Sequence, residues 1–133
     1  YINNAEGIDR ESYEKFTVKT HSPSDLNFKP DLIKLDVEGA EFEILNSMTT
    51  ILGEKKSTIL VEVRRPEKTE KLRRWIKGFV DANGYLVVAV NAKYPIIATD
   101  KILSVVLQND YDTRDLLLLH ESKFDEYCAK GIL

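Results

Sequence analysis

Two carboxylates, Asp36 and Glu38, stand two residues apart where an apolar run gives way to a glycine, in the stretch Ile33-Lys34-Leu35-Asp36-Val37-Glu38-Gly39-Ala40-Glu41. Residues i and i+2 of an extended chain point to the same side, so a strand that persisted through Glu38 would aim both acids at one spot. Two carboxylates held close repel each other, and a proton or a cation shared between them relieves the repulsion. Such a pair suits the work of a general base or of holding a metal ion. A third acid, Glu62, lies inside the apolar run Ser57 to Arg64. Burying a carboxylate there is costly unless it is paired or sits at the open end of a sheet. Glu62 therefore either sits at the sheet's open end or pairs with Arg64 or a nearby lysine. A plainer reading competes for all the acids of this region, because negative charge at a helix start interacts well with the helix dipole. For Glu41 and Glu43 the plainer reading is favoured.

The elements that must position these groups follow from patterning. Leu32, Ile33 and Leu35 form a short apolar run after Pro30, as in a strand covered on both faces. Gly39 permits a sharp turn. From Ala40 the period becomes helical, with Ile44, Leu45, Met48, Ile51 and Leu52 on one face and Gly53 as the expected C-terminal cap. Ser57 to Arg64 reads as a second buried strand and Glu67 to Asn83 as an amphipathic helix whose apolar face carries Leu72, Trp75, Ile76, Phe79 and Val80. Tyr85 to Val90 reads as a third strand, and Arg114 to His120 as the last. Tyr13 to Thr20 alternates and is expected to be a strand, with Leu26 and Phe28 packing back on the sheet. Asn91 to Thr99 reads as a loop with a short strand at Ile96-Ile97, Ile102 to Leu107 as an apolar segment of either type, and Ser122 to Lys130 as a short helix with Phe124, Tyr127 and Cys128 on one side. Strands alternating with helices imply parallel pairing. The last two strands have no helix between them, so they are expected to pair antiparallel, as a hairpin at the sheet edge.

Length and composition bound the function. At 133 residues the chain is enough for a single domain, spanning 1–133. With a net charge of -3, nothing at the level of the whole chain suggests a nucleic-acid partner, and none is expected. No apolar run approaches the ~18 residues of a membrane helix. The single cysteine, Cys128, forms no internal disulfide, fits a reducing, cytoplasmic compartment and is expected to pack as a small apolar residue. Of the basic run Arg64, Arg65, Lys68, Lys71, Arg73, Arg74 and Lys77, the residues on the helix fall largely opposite its apolar face, as a solvated face should; the functional alternative is an anionic ligand near Arg64-Arg65. His21 and His120 have no metal-ligand spacing and read as surface or capping residues. The six glycines contain neither GxGxxG nor P-loop spacing. The opening Tyr1-Ile2-Asn3-Asn4 has no initiator Met, as expected of a chain cut from a longer one.

Ile33 to Leu45, IKLDVEGAEFEIL, resembles the FkbM family of S-adenosylmethionine-dependent methyltransferases, whose most recognisable segment is IK-hydrophobic-D-hydrophobic-EGAE followed by a helix. The flanks are similar too. Phe16 to Leu26 looks like the approach to that segment, Ile59 to Val63 like the next strand, Asn83-Gly84-Tyr85 like the "GY" after the following helix, and Asp115-Leu116-Leu117 like the closing strand. The resemblance implies an α/β, Rossmann-like class I methyltransferase fold, of which this chain is the C-terminal half: a mostly parallel sheet ending in an antiparallel strand, without the N-terminal cofactor-binding strands. It also implies that Asp36 and Val37 lie beside S-adenosylmethionine, that Asp36 and Glu38 are the catalytic pair, and that Glu62 and Arg64 face the acceptor. The reaction implied is O-methylation of a hydroxyl on a sugar, a glycan or a secondary metabolite, with the chain alone expected to be inactive and open to self-association along its exposed strand edge. Two rivals remain: a non-catalytic α/β interaction module, and another Rossmann-like nucleotide or dinucleotide enzyme.

Overall fold

The computed structural model describes residues 16–25, 27, 29–63, 66–90, 96–98 and 115–133. Strand β1 (Leu32–Leu35) leads through a turn into helix α1 (Glu41–Lys55), then β2 (Thr58–Glu62), α2 (Pro66–Asn83), β3 (Tyr85–Ala89), β4 (Ile96–Ala98), β5 (Asp115–His120) and α3 (Phe124–Ala129). The strands form one mixed sheet in the order β1-β2-β5-β3-β4. β1 and β2 run parallel, with Leu35 opposite Val61, as the intervening helix requires. β5 runs antiparallel to both β2 and β3.

The last two expected strands therefore do pair antiparallel, but not as a hairpin at the edge. β5 returns into the middle of the sheet, and the edge hairpin is β3 with β4. Leu116 to Leu119 are buried on both faces of β5, which explains why this run is continuously apolar rather than alternating.

α1 and α2 cover one face. Leu45, Met48 and Leu52 of α1 and Leu72, Ile76 and Phe79 of α2 pack on Ile59, Val61, Val87 and Leu118. α1 does not stop at Gly53; it runs to Lys55 and ends on Lys56 in the left-handed region (φ 57). Gly53 lies inside the last turn, where a Cβ would come 2.5 Å from Asn83 Oδ1, so a larger residue there would push the Asn83 side chain aside. Phe16 to Thr20 carry no strand, with Phe16 and Val18 at 78% and 76% exposure. Alternation alone makes no strand without a ladder partner. Residues 13–15, Leu26, Phe28 and 102–107 lie outside the described residues. Cys128 is exposed rather than packed, because the short α3 lays only Phe124 and Tyr127 partly against the body. Among the described residues no helix is long and apolar enough to cross a membrane.

Tyr85 ties the helix layer to the sheet. Its hydroxyl lies 3.0 Å from both the Leu52 and the Ser57 carbonyl oxygens, and its ring packs edge-on against His120. Burial pushes its pKa up to about 12. An acid whose pKa is raised by folding resists ionising in the folded state, so its contribution is complete below the ordinary value of 10.0 and fades as pH rises towards about 12. Tyr85→Phe is expected to cost about 1 kcal/mol at neutral pH and to flatten the stability loss above pH ~10, read by urea melting from pH 8 to 12.

Candidate functional site

Asp36 follows Leu35 and Glu62 follows Val61, and those two residues are register partners in the parallel β1–β2 ladder. The register therefore brings two acids from distant parts of the chain to the same end of neighbouring strands. The carboxyl ends of parallel strands are where open α/β sheets bind ligands. Glu38 joins them: ligand oxygens of Asp36, Glu38 and Glu62 all lie within 4.8 Å of one another. Asp115 opens β5 directly opposite Glu62.

The route by which Glu38 arrives differs from the sequence argument. The strand ends at Leu35, so the alternation of an extended chain does not apply. Glu38 instead adopts a left-handed backbone (φ 59) and Gly39 follows at φ 117. A bulky side chain at positive φ is uncommon, and in a site it is a sign that the surroundings hold it there. Open space surrounds the missing Cβ of Gly39, so glycine is required there by its backbone angle alone.

Glu41 is the residue the sequence argument undervalued. It is 3% exposed, at the first position of α1, and its Oε1 accepts hydrogen bonds from the backbone N–H groups of Val37 and Gly39, both at 3.2 Å. The signal was present in the EGAE spacing, but reading it required knowing that the turn folds back over the helix start. Glu43 is exposed in the first turn, consistent with the dipole reading.

Lys34 Nζ lies 3.5 Å from Asp36 Oδ2, an exposed pair that supplies the carboxylate expected for its ammonium. Val37 is exposed beside the acids, and its N–H is engaged by Glu41. Arg64 and Arg65 lie outside the described residues. Arg74 pairs with Glu70, and Lys77 with Asp81 at 3.0 Å, as expected of a solvated helix face. His21 is exposed. His120 Nδ1 accepts from the Ser122 N–H at 3.1 Å and caps the following turn at the opposite end of the sheet from the acids, and burial holds its pKa below the ordinary imidazole value.

Three carboxylates that converge on one point can take a proton, orient a hydroxyl, face a cationic ligand or hold a hard divalent ion through oxygen donors. This convergence was not readable from ligand spacing, because Asp36 and Glu38 come from the turn after β1 and Glu62 from the end of β2. The family model of the methyltransferase FkbM domain matches residues 8–87, which span both strand–helix units and all three acids. The chain belongs to the FkbM methyltransferase family. No curated protein and no solved structure matches it significantly. The FkbM segment Asp36 to Glu41 is thus the turn that carries two of the three acids and the residue that ties it down.

Proposed function

We propose that the protein catalyses S-adenosylmethionine-dependent O-methylation of a hydroxyl on a sugar, a glycan or a small metabolite, with the acceptor hydroxyl meeting Asp36, Glu38 and Glu62. The observation that carries this reading is the convergence of the three carboxylates within 4.8 Å at the carboxyl ends of β1 and β2 in a chain of FkbM type. Two parallel strands joined by a helix, with an antiparallel final strand, support the second half of a class I methyltransferase fold.

The donor set suits the cofactor, because carboxylates are natural neighbours for a sulfonium or ammonium charge. When bound, S-adenosylmethionine supplies an electrophilic methyl group. Asp36 would hold its positive end, with the exposed Val37 packed beside the cofactor. Glu38 would receive the proton that the hydroxyl gives up, and Glu62, with Arg64, would orient the acceptor. The protein would work among small molecules or glycans in a reducing, cytoplasmic setting.

Calorimetric titration of S-adenosylhomocysteine into the intact protein, with NAD as control, tests the reading. Micromolar affinity for the first and none for the second is the expected result. Binding of NAD instead would mark another Rossmann-like enzyme, and binding of neither would mark an interaction module.

A further inference from the structure

We infer that Glu41 is a positioning residue of the carboxylate site, acting through the backbone of Glu38; the inference rests on the methyl-transfer reading of that site. An acid in the first turn of a helix that only stabilises the helix start reaches back no further than the N–H of the capping residue, here Ala40. Glu41 does something else. Its Oε1 accepts from Val37 and Gly39, the residues on either side of Glu38 and both outside the helix. The clamp therefore acts on the turn that carries the acid.

Its cost is visible in two places. A carboxylate only 3% exposed has left water, and charge-assisted bonds to two amides at a helix N-terminus offset that loss. Glu38 meanwhile is kept at φ 59, a conformation its side chain would not choose. Released from the clamp, the Val37–Gly39 segment relaxes out of the left-handed region, and the Glu38 carboxylate leaves Asp36 and Glu62. The burial of Glu41, its two bonds and the strain at Glu38 are then parts of one device that keeps the third carboxylate in place.

The test compares three substitutions in the intact protein. Glu41→Gln keeps an acceptor oxygen at the same reach, Glu41→Asp is one methylene too short, and Glu41→Ala removes the acceptor. Methyl transfer is read as kcat well below every melting midpoint, alongside affinity for S-adenosylhomocysteine. A misplacement of about 1 Å costs about 100-fold, so Glu41→Asp and Glu41→Ala are expected to lower kcat by about that factor, with Glu41→Gln close to the unsubstituted protein. Loss of kcat only in proportion to the unfolded fraction, or equal loss in all three variants, would overturn the inference.

Amide hydrogen exchange of Val37 and Gly39 is the second readout and needs no activity. Protection is expected in the unsubstituted protein and in Glu41→Gln, and fast exchange in the other two; fast exchange in the unsubstituted protein would overturn the clamp. Failure of the methyl-transfer reading would show separately, as an unsubstituted protein that neither binds S-adenosylhomocysteine nor transfers a methyl group, and the exchange readout would then decide the clamp alone.

Discussion

Asp36→Asn and Glu38→Gln are each expected to lower methyl transfer by the intact protein by about 10²–10⁴-fold, the range for losing a positioned proton acceptor, with little change in thermal midpoint. Both parts of this expectation come from geometry. On the proposed reading, activity falls because the three carboxylates gathered within 4.8 Å serve one reaction, and removing one charge alters what the other two can hold. Stability barely moves because both residues are exposed. The Asp36–Lys34 contact is a surface pair at 3.5 Å, a kind worth less than about 1 kcal/mol. Glu38→Asn sharpens the point, since asparagine tolerates the left-handed region better than glutamate does. It should lose turnover with a midpoint equal to or above that of the unsubstituted protein. Steady-state turnover beside calorimetric melting separates the outcomes. Full activity in Asp36→Asn and Glu38→Gln would remove the acids from the chemistry, and a large drop in midpoint would return them to a structural role.

Leu118→Ala is expected to be the most damaging of the single stability changes considered, costing about 3–4 kcal/mol. Domains of this size are stable by only about 5–15 kcal/mol, so such a loss is a large fraction of the whole. Leu118 is fully buried in β5, flanked in register by Ile59 of β2 and Val87 of β3, which are themselves buried. Removing its side chain opens a cavity between three strands that cannot close without moving the sheet. Leu32, also a leucine in a strand, is 62% exposed on β1 at the end of the strand order, and Leu32→Ala should cost less than about 1 kcal/mol. Urea unfolding of both variants tests the topology itself: similar losses for the two would contradict a central β5.

Local patterning was enough for most elements. The helical period of α1 and α2, the apolar runs of β1, β2, β3 and β5, and the family segment around Asp36 are encoded in neighbouring residues, and each appears within a few positions of its expected bounds. Two local readings failed where a partner was needed to decide. Phe16 and Val18 alternate but face solvent, and Gly53 looks like a helix stop but lies within α1, beside the Asn83 side chain of α2. Cys128 likewise looked like a packing residue and is exposed, because a two-turn helix has too narrow a face to bury it.

By itself, then, the sequence determined the alternation of strand and helix, the identity of Asp36 and Glu38 as the acids at a strand end, and membership in the family. Those properties depend on spacing along the chain. Tertiary structure decided the rest, because the rest depends on register and backbone angle between distant residues. The parallel β1–β2 ladder set Glu62 beside Asp36, the left-handed turn at Glu38 brought the third carboxylate in after the strand had ended, and the fold of that turn over α1 gave the buried Glu41 two amides to hold. The insertion of β5 between β2 and β3 belongs to the same class, since an apolar strand carries no mark of which two neighbours it will bury against.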